Sequence, residues 1–262
     1  MQLDGKVCVV TGAGQGIGRA TAIEMTRQGA KVVVSDVNDG PGNGTVELVR
    51  AAGGEAVYAH ADVRSNDDVT ALMEVAVGTF GRLDVLHNNA GVHESAFTTE
   101  TASDRLPEEV WDTVYEINLK GVWRCSRAAV PHLRAAGGGS IVNAGSTGSL
   151  VAYPGNAAYG ASKHAIIGLT KNMAVDLAQD AIRVNCYCPA SINTPMFEQF
   201  VDAAEDKEAL LSALTATHLI RRLGRPEEVA KLVCFLASDD ASFITGGAYL
   251  IDGGSLAWRG SN

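Results

Sequence analysis

Almost wholly apolar segments of strand length alternate with longer segments of helical period along the chain, and no other feature narrows the possible folds as much. The runs KVCVVTG (6–12), KVVVSD (31–36) and AVYAHAD (56–62) are separated by helical patterns over 16–29, 42–53 and 67–80. A strand that is apolar at successive positions has to be covered on both faces, and helical crossovers between parallel strands supply that cover. The alternation continues with LDVLHNNAG (83–91), one long helix over about 107–136, SIVNAGS (140–146), a helix over 156–179 and IRVNCYCP (182–189). The expected architecture is α/β, a single domain over 1–262 whose doubly wound parallel sheet carries helices on both faces. Two stretches break the pattern, 92–106 and 190–225. Ligands in such sheets bind beyond the carboxyl ends of the strands, so both loops are expected to cover a pocket there, the second as a substrate-loop region.

Composition removes several classes of function. The 262 residues include 21 basic and 30 acidic side chains, a net charge of −9. A nucleic-acid partner would require clustered Lys and Arg, so none is expected. No apolar run approaches the roughly 18 residues a membrane helix needs, and the N-terminal segment enters a strand pattern with no secretory-type leader, so the expected location is the cytoplasm. Cys8, Cys125, Cys186, Cys188 and Cys234 are odd in number and scattered through apolar patterns, which reads as buried thiols. Cys186 and Cys188 share one face of a strand, but a lone C-x-C is poor zinc spacing and no two histidines stand four apart, so no metal is assigned.

The first apolar run ends in TGAGQGIG (11–18) and leads directly into a helical pattern. Glycines in that position permit a tight turn and let backbone N–H groups approach a pyrophosphate, whose charge the helix N-terminus favours. The placement between strand and helix makes Gly12, Gln15, Gly16, Ile17 and Gly18 candidate dinucleotide contacts. Asp36 closes the second run 18 residues after Gly18, where a carboxylate accepts hydrogen bonds from an adenosine ribose. It would repel a 2′-phosphate, and neither Gln15 nor Val37-Asn38-Asp39-Gly40 supplies a basic group to offset it, so the expected cofactor is NAD. Asp62 and Val63, at the end of the third run, are candidates for the adenine, with a helix-start aspartate as the alternative for Asp62. Asn89, Ala90 and Gly91 end the fourth run with small residues that leave room for a cofactor over the backbone, or simply form the turn out of the strand.

In the helix over 156–179, Tyr159 and Lys163 stand four residues apart and therefore one turn apart on one face. They form either a solvated surface pair or a device in which the ammonium tunes the phenol. Lowering a phenol from a pKa of about 10 to about 7 requires roughly 4 kcal/mol. A cation about 4 Å away supplies roughly 1 kcal/mol in water but about 4 at an effective dielectric near 20. Only a partly desolvated pair is sufficient.

Taken together, TGAGQGIG, the NNAG of 88–91, Asn118, Ser146 thirteen residues before Tyr159, the Y-x-x-x-K unit and the segment 189–194 resemble, in this order, the short-chain dehydrogenase/reductase family, over essentially the whole chain. The resemblance implies a seven-stranded parallel Rossmann sheet, a nicotinamide cofactor and a homotetramer. It implies Tyr159 as the acid/base, Lys163 as its activator and a ribose ligand, Ser146 as the polariser of the substrate oxygen, and Asn118 as the anchor of a water relay. It also implies that Pro189, Ile192 and Thr194 flank the nicotinamide. Ala190 departs from the family's usual glycine, which matters if the backbone there needs positive φ.

The expected activity is interconversion of a secondary alcohol and a ketone on a small or medium, largely apolar molecule, with His93, Val151, Met196, Phe197 and Phe200 as candidate walls. The alternatives are a dinucleotide-binding regulatory or assembly protein without turnover, and a dehydratase or epimerase that keeps NAD. The retained acid/base set speaks against the first alternative and the short substrate region against the second.

Overall fold

A computed structural model of the chain describes residues 2–258 apart from 203 and 205. Seven parallel strands form one sheet: β1 (Val7–Thr11), β2 (Lys31–Asp36), β3 (Glu55–His60), β4 (Val85–Asn88), β5 (Gly139–Ala144), β6 (Ile182–Pro189) and β7 (Ala248–Ile251), in the order β3-β2-β1-β4-β5-β6-β7. The strands are rich in β-branched residues, which suit a pleated surface packed on both sides. Their side chains alternate between two cores. Cys8, Val10, Val32 and Val34 face one, shared with Ala22 and Met25 of α1 (Gly16–Arg27), Val46 and Val49 of α2 (Asp39–Ala51) and Val229 and Val233 of a helix near the C-terminus. Val7, Val9 and Val33 face the other, with Leu72 and Met73 of α3 (Asn66–Phe80). Burial of one such side chain is worth about 1.5–3 kcal/mol.

The helix ends follow local chemistry. α3 starts at Ser65, whose hydroxyl accepts from Asp68 N–H at 3.2 Å, and stops at Gly81 with φ 85°. The expected long helix over about 107–136 is divided: α4 (Glu108–Tyr115) passes through a π turn, Glu116–Gly121, into α5 (Val122–Ala135). Asn118 lies inside that wide turn. The sequence pattern misses the π turn because six residues inside a longer helical run are too few to show a separate period. α6 (Ala157–Asp176) follows β5, and the region after β6 contains α7 (Pro195–Asp202) and α8 (Lys207–Ala216) before α9 (Pro226–Ala237), the helix that carries Val229 and Val233.

Every connection returns to the same edge, so Thr11, Asp36, His60, Asn88, Ala144 and Pro189 end together. β1 lies between β2 and β4, and the crossovers from those two strands leave in opposite directions across the sheet. That reversal opens a crevice at the carboxyl edge. Among the described residues no helix is long and apolar enough to cross a membrane.

Candidate active site

The crevice is a cavity of about 330 Å³ between the glycine-rich turn, the ends of β2 and β4, and α6. Its floor is a close approach of backbones. Gly12 has φ 61°, and a Cβ on it would lie 2.8 Å from Ala90 Cα. A Cβ on Gly14 would lie 2.7 Å from Asp36 Oδ2, the oxygen that accepts Gly14 N–H at 2.9 Å. Gly12, Gln15, Gly16 and Ile17 line the cavity, as expected for groups that bring N–H donors to a phosphate. Gly18 does not. It sits inside α1 against Gly12 O and Asn89 Nδ2, so its missing side chain serves helix–strand packing.

Asp36 is buried, with Oδ1 accepting Asn38 N–H at 2.9 Å and the second lone pair of each oxygen still available toward the cavity it lines. Two guanidinium groups on this side of the cavity are committed elsewhere. Arg19 bonds Gly14 O and Thr45 Oγ1, while Arg64, which lines the cavity, grips Asp62 through bonds of 2.6–3.0 Å. That grip holds the Asp62 carboxyl below its ordinary range. Asp62 and Val63 line the same wall, and α3 is capped by Ser65 rather than by Asp62. Arg64 was invisible to a motif search because an exposed arginine after a strand carries no distinguishing signal.

Asn89, Ala90 and Gly91 line the cavity beside β1. Asn89 ties the edge together: its amide donates to Thr11 O and Gly12 O, each at 3.0 Å, and its oxygen accepts from Tyr187 OH at 3.3 Å. A Cβ on Gly91 would lie 3.2 Å from Asn118 Oδ1 and 3.6 Å from Lys163 Nζ, which brings those two groups to the same point.

Tyr159 and Lys163 both line the cavity from the first two turns of α6. Lys163 Nζ lies 5.5 Å from the Tyr159 ring centroid and donates to Ala144 O at 2.8 Å. Lys163 is buried and Tyr159 half-buried on one face of their helix, so the two are not a solvated surface pair. The largest influence on the phenol is burial rather than the ammonium. Burial pushes Tyr159 above its ordinary value, the Ser146 hydroxyl acts the other way, and the carboxylate of Glu94 adds to the upward push. Burial also lowers Lys163 to about 8, because an ammonium loses its hydration there.

Ser146 follows β5 and begins a single 3₁₀ turn, Thr147–Ser149. Its Oγ accepts Gly148 N–H at 3.0 Å, so the serine is a cap as well as a neighbour of Tyr159. Asn118 is fully buried, and its amide is committed: Val92 N–H donates to Oδ1 at 2.8 Å, and Nδ2 donates to Val92 O at 2.9 Å and Ser162 Oγ at 3.3 Å. Both amide hydrogens are thus spent on protein atoms rather than held free. The side chain instead clamps the segment leaving β4 to α6.

Pro189 and Thr194 line the cavity with Met196, but Ile192 does not. Its side chain is buried against Gly224, to which its backbone pairs in an isolated bridge. Among the described residues Ala181 is the one non-glycine residue with positive φ, so Ala190 meets no left-handed strain. His93 packs against Tyr159 with the rings tilted by 46° and their centroids 5.0 Å apart, and meets the edge of Phe200 at 5.3 Å. Val151 faces a separate hollow with Thr101 and Tyr153, and Phe197 N–H bonds Thr194 Oγ1 at 3.3 Å. Glu94 and Tyr187 were missed by sequence reading, Glu94 because it lies in a polar loop with nothing to mark it.

All five cysteines are free and buried, with Cys186 Sγ 3.9 Å from Cys188 Sγ. Among the described residues no group of three or more His, Cys, Asp or Glu converges as metal ligands would.

Residues 12–255 match the family described as enoyl-(acyl carrier protein) reductase. A cyclohexanol dehydrogenase from Acinetobacter sp. (strain SE19) is 40% identical over 252 residues, covering 96% of this chain and 95% of the relative. A 3-oxoacyl-(acyl-carrier-protein) reductase from Thermotoga maritima is 39% identical over 254 residues, 97% of this chain and 99% of the relative. A crystal structure of a Sinorhizobium meliloti 1021 protein designated a short-chain alcohol dehydrogenase superposes with a TM-score of 0.91 at 35% identity, covering 98% of this chain and 99% of that one.

Proposed function

The chain belongs to the short-chain dehydrogenase/reductase family, and on that premise we propose that it is an NAD-dependent oxidoreductase that interconverts a secondary alcohol and a ketone on a small or medium, largely apolar substrate. The observation that carries this reading is the meeting of Tyr159, Lys163 and Ser146 at the carboxyl edge of the sheet, beside a cavity floored by glycine backbone. A module that only bound dinucleotide would have no use for a half-buried phenol next to a buried ammonium.

The cavity suits a dinucleotide on its own features. A Cβ on Gly12 or Gly14 would collide with Ala90 or Asp36, so the bare backbone lets the turn lie close along the cavity, and α1 begins at its end. Gly12 to Ile17 would hold the pyrophosphate, Asp36 the adenosine ribose, Asp62 and Val63 the adenine, and Asn89 to Gly91 with Lys163, Pro189 and Thr194 the nicotinamide end. The Asp36 carboxylate, with Arg19 and Arg64 already occupied, favours NAD over NADP. When bound, the dinucleotide supplies the acceptor or donor of a hydride.

Tyr159 OH takes the hydroxyl proton of an alcohol, or returns it to a ketone, while Ser146 Oγ–H holds the same substrate oxygen. Because burial makes Tyr159 a weaker acid, its working acidity depends on positive charge gathered at the site in the loaded enzyme, with Lys163, 5.5 Å from the ring centroid, as the protein's share. Asn118 keeps α6 and the exit of β4 in register, so that Lys163 and Gly91 stay at the same point. His93, Phe200 and Met196 form the apolar side of the substrate space. The same reading makes the chain one cytoplasmic domain that assembles as a homotetramer, in keeping with five unpaired thiols and the exposed Phe243 and Leu250 near β7.

A panel of secondary alcohols, cyclic ones included, offered with NAD and with NADP tests the proposal by the near-ultraviolet absorbance of the reduced nicotinamide. Turnover with NAD that exceeds turnover with NADP is expected. Reduced cofactor appearing with no alcohol in the panel, or faster with NADP, overturns it.

A further inference from the structure

The helix that carries Tyr159 is not capped by its own N-cap residue. Asn156 stands at that position and makes no side-chain bond to the first turn. The unpaired N–H groups are met from another part of the fold: Glu94, in the 3₁₀ turn Glu94–Ala96 after β4, accepts Ala158 N–H on Oε1 at 3.2 Å and Tyr159 N–H on Oε2 at 3.1 Å. Glu94 is fully buried. Burying a carboxylate is costly unless hydrogen bonds and opposite charge compensate it, and the positive end of a 20-residue helix with two donated N–H bonds does so here. One of those two N–H groups belongs to Tyr159 itself. The neighbouring His93 packs at a tilt against the phenol ring, with Nε2 3.8 Å from Glu94 Oε2 and 3.1 Å from Asn156.

We propose that Glu94 is a positioning residue for the reaction, a charged cap supplied from the β4 loop that fixes the backbone of Tyr159 and, with His93 against the ring, aims the phenol at the substrate oxygen. The proposal rests on Tyr159 being the acid/base. It adds that the loop and the acid/base helix are one mechanical unit, so that the loop covering the substrate also sets where the proton carrier points.

Charge makes the role separable from plain packing. Tyr159 is faced by Lys163 one turn along α6, Cys188 on β6, Tyr153 and Ser146 from the segment between β5 and α6, and His93 and Glu94 from the loop after β4. Glu94 and Cys188 act to raise the phenol's pKa. Glu94→Gln keeps the shape and removes the charge, and Glu94→Asp keeps the charge and withdraws it by one methylene.

The experiment measures kcat, KM and the pH profile of alcohol oxidation, with NADH affinity followed separately by fluorescence, in Glu94→Gln, Glu94→Asp and Tyr159→Phe. Expected for Glu94→Gln is a kinetic pKa moved to lower pH and kcat reduced about tenfold or more, with KM and NADH affinity within about twofold. Expected for Glu94→Asp is a similar fall in kcat with the kinetic pKa unmoved; if the glutamine variant does not fold, the aspartate variant alone carries the test. Normal kcat and an unmoved profile in the folded variants, with only a lower melting temperature, overturn the proposal and leave Glu94 as packing. Undiminished turnover in Tyr159→Phe removes the acid/base reading itself, an outcome distinct from failure of the cap.

Discussion

In the half of the sheet built from β1, β2 and β3, the groups that face the cavity are held by partners on the same turn or the adjacent strand. Asp36 bonds Gly14 and Asn38, and Arg64 bonds Asp62 two residues away. In the half built from β4 to β7, the corresponding groups are held across long stretches of chain. Tyr159 is anchored by Glu94, 65 residues earlier, and Val92 by Asn118, 26 residues later. The first half recognises a fixed shape, which a short backbone template can encode. On the proposed function the second holds Tyr159 as a proton carrier inside a low-dielectric wall, and its accuracy comes from several elements locking one another.

The largest test of that contrast is Tyr159→Phe. General acid–base groups contribute about 10²–10⁴ in rate, so turnover is expected to fall into that range while NADH still binds, because the locally encoded half is untouched. Loss of NADH binding measured by fluorescence titration would show that the halves are not separable. Next in size, Lys163→Met is expected to move the kinetic pKa of oxidation upward. A unit charge about 5–6 Å away at an effective dielectric near 20 is worth about 3 kcal/mol, about two pKa units. An unmoved pH–rate profile would assign the tuning to Ser146 and Glu94 instead. With Lys163 lowered to about 8 by burial, the wild-type ammonium is mostly charged at neutral pH and loses its proton as pH rises through that value. The help it gives the phenol should therefore fade above about pH 8. Smallest of the three, Asp36→Ala is expected to cut the NAD over NADP preference about tenfold, about 1.4 kcal/mol, read as the ratio of kcat/KM values. If NADP is already the better cofactor of the parent protein, the ribose argument fails.

The same contrast explains what could be read before any coordinates. The alternation of apolar runs with helical segments was enough for a doubly wound parallel sheet, since strand and helix are both local patterns and the two-sided burial follows from them. The place of Gly12, Gln15 and Gly16 on the cavity wall was legible because a glycine-rich turn between strand and helix has few other uses. Gly18 was legible as an obligatory glycine but not in its duty, which is to let Gly12 O and Asn89 come close. The π turn around Asn118, the retreat of Ile192 from the cavity and the cap given by Glu94 were not legible. Each depends on which distant element arrives beside it, and a residue such as Glu94 looks like any acidic loop residue until the helix end it serves is in place.

Asn89 bonds the tail of β1 through Thr11 and Gly12 and that of β6 through Tyr187, so three strand termini share one amide. Anyone recombining this protein with a relative at the natural seam after β3 should keep those four residues from a single parent, because a crossover that splits them exchanges sequence on both sides of a knot rather than between two modules.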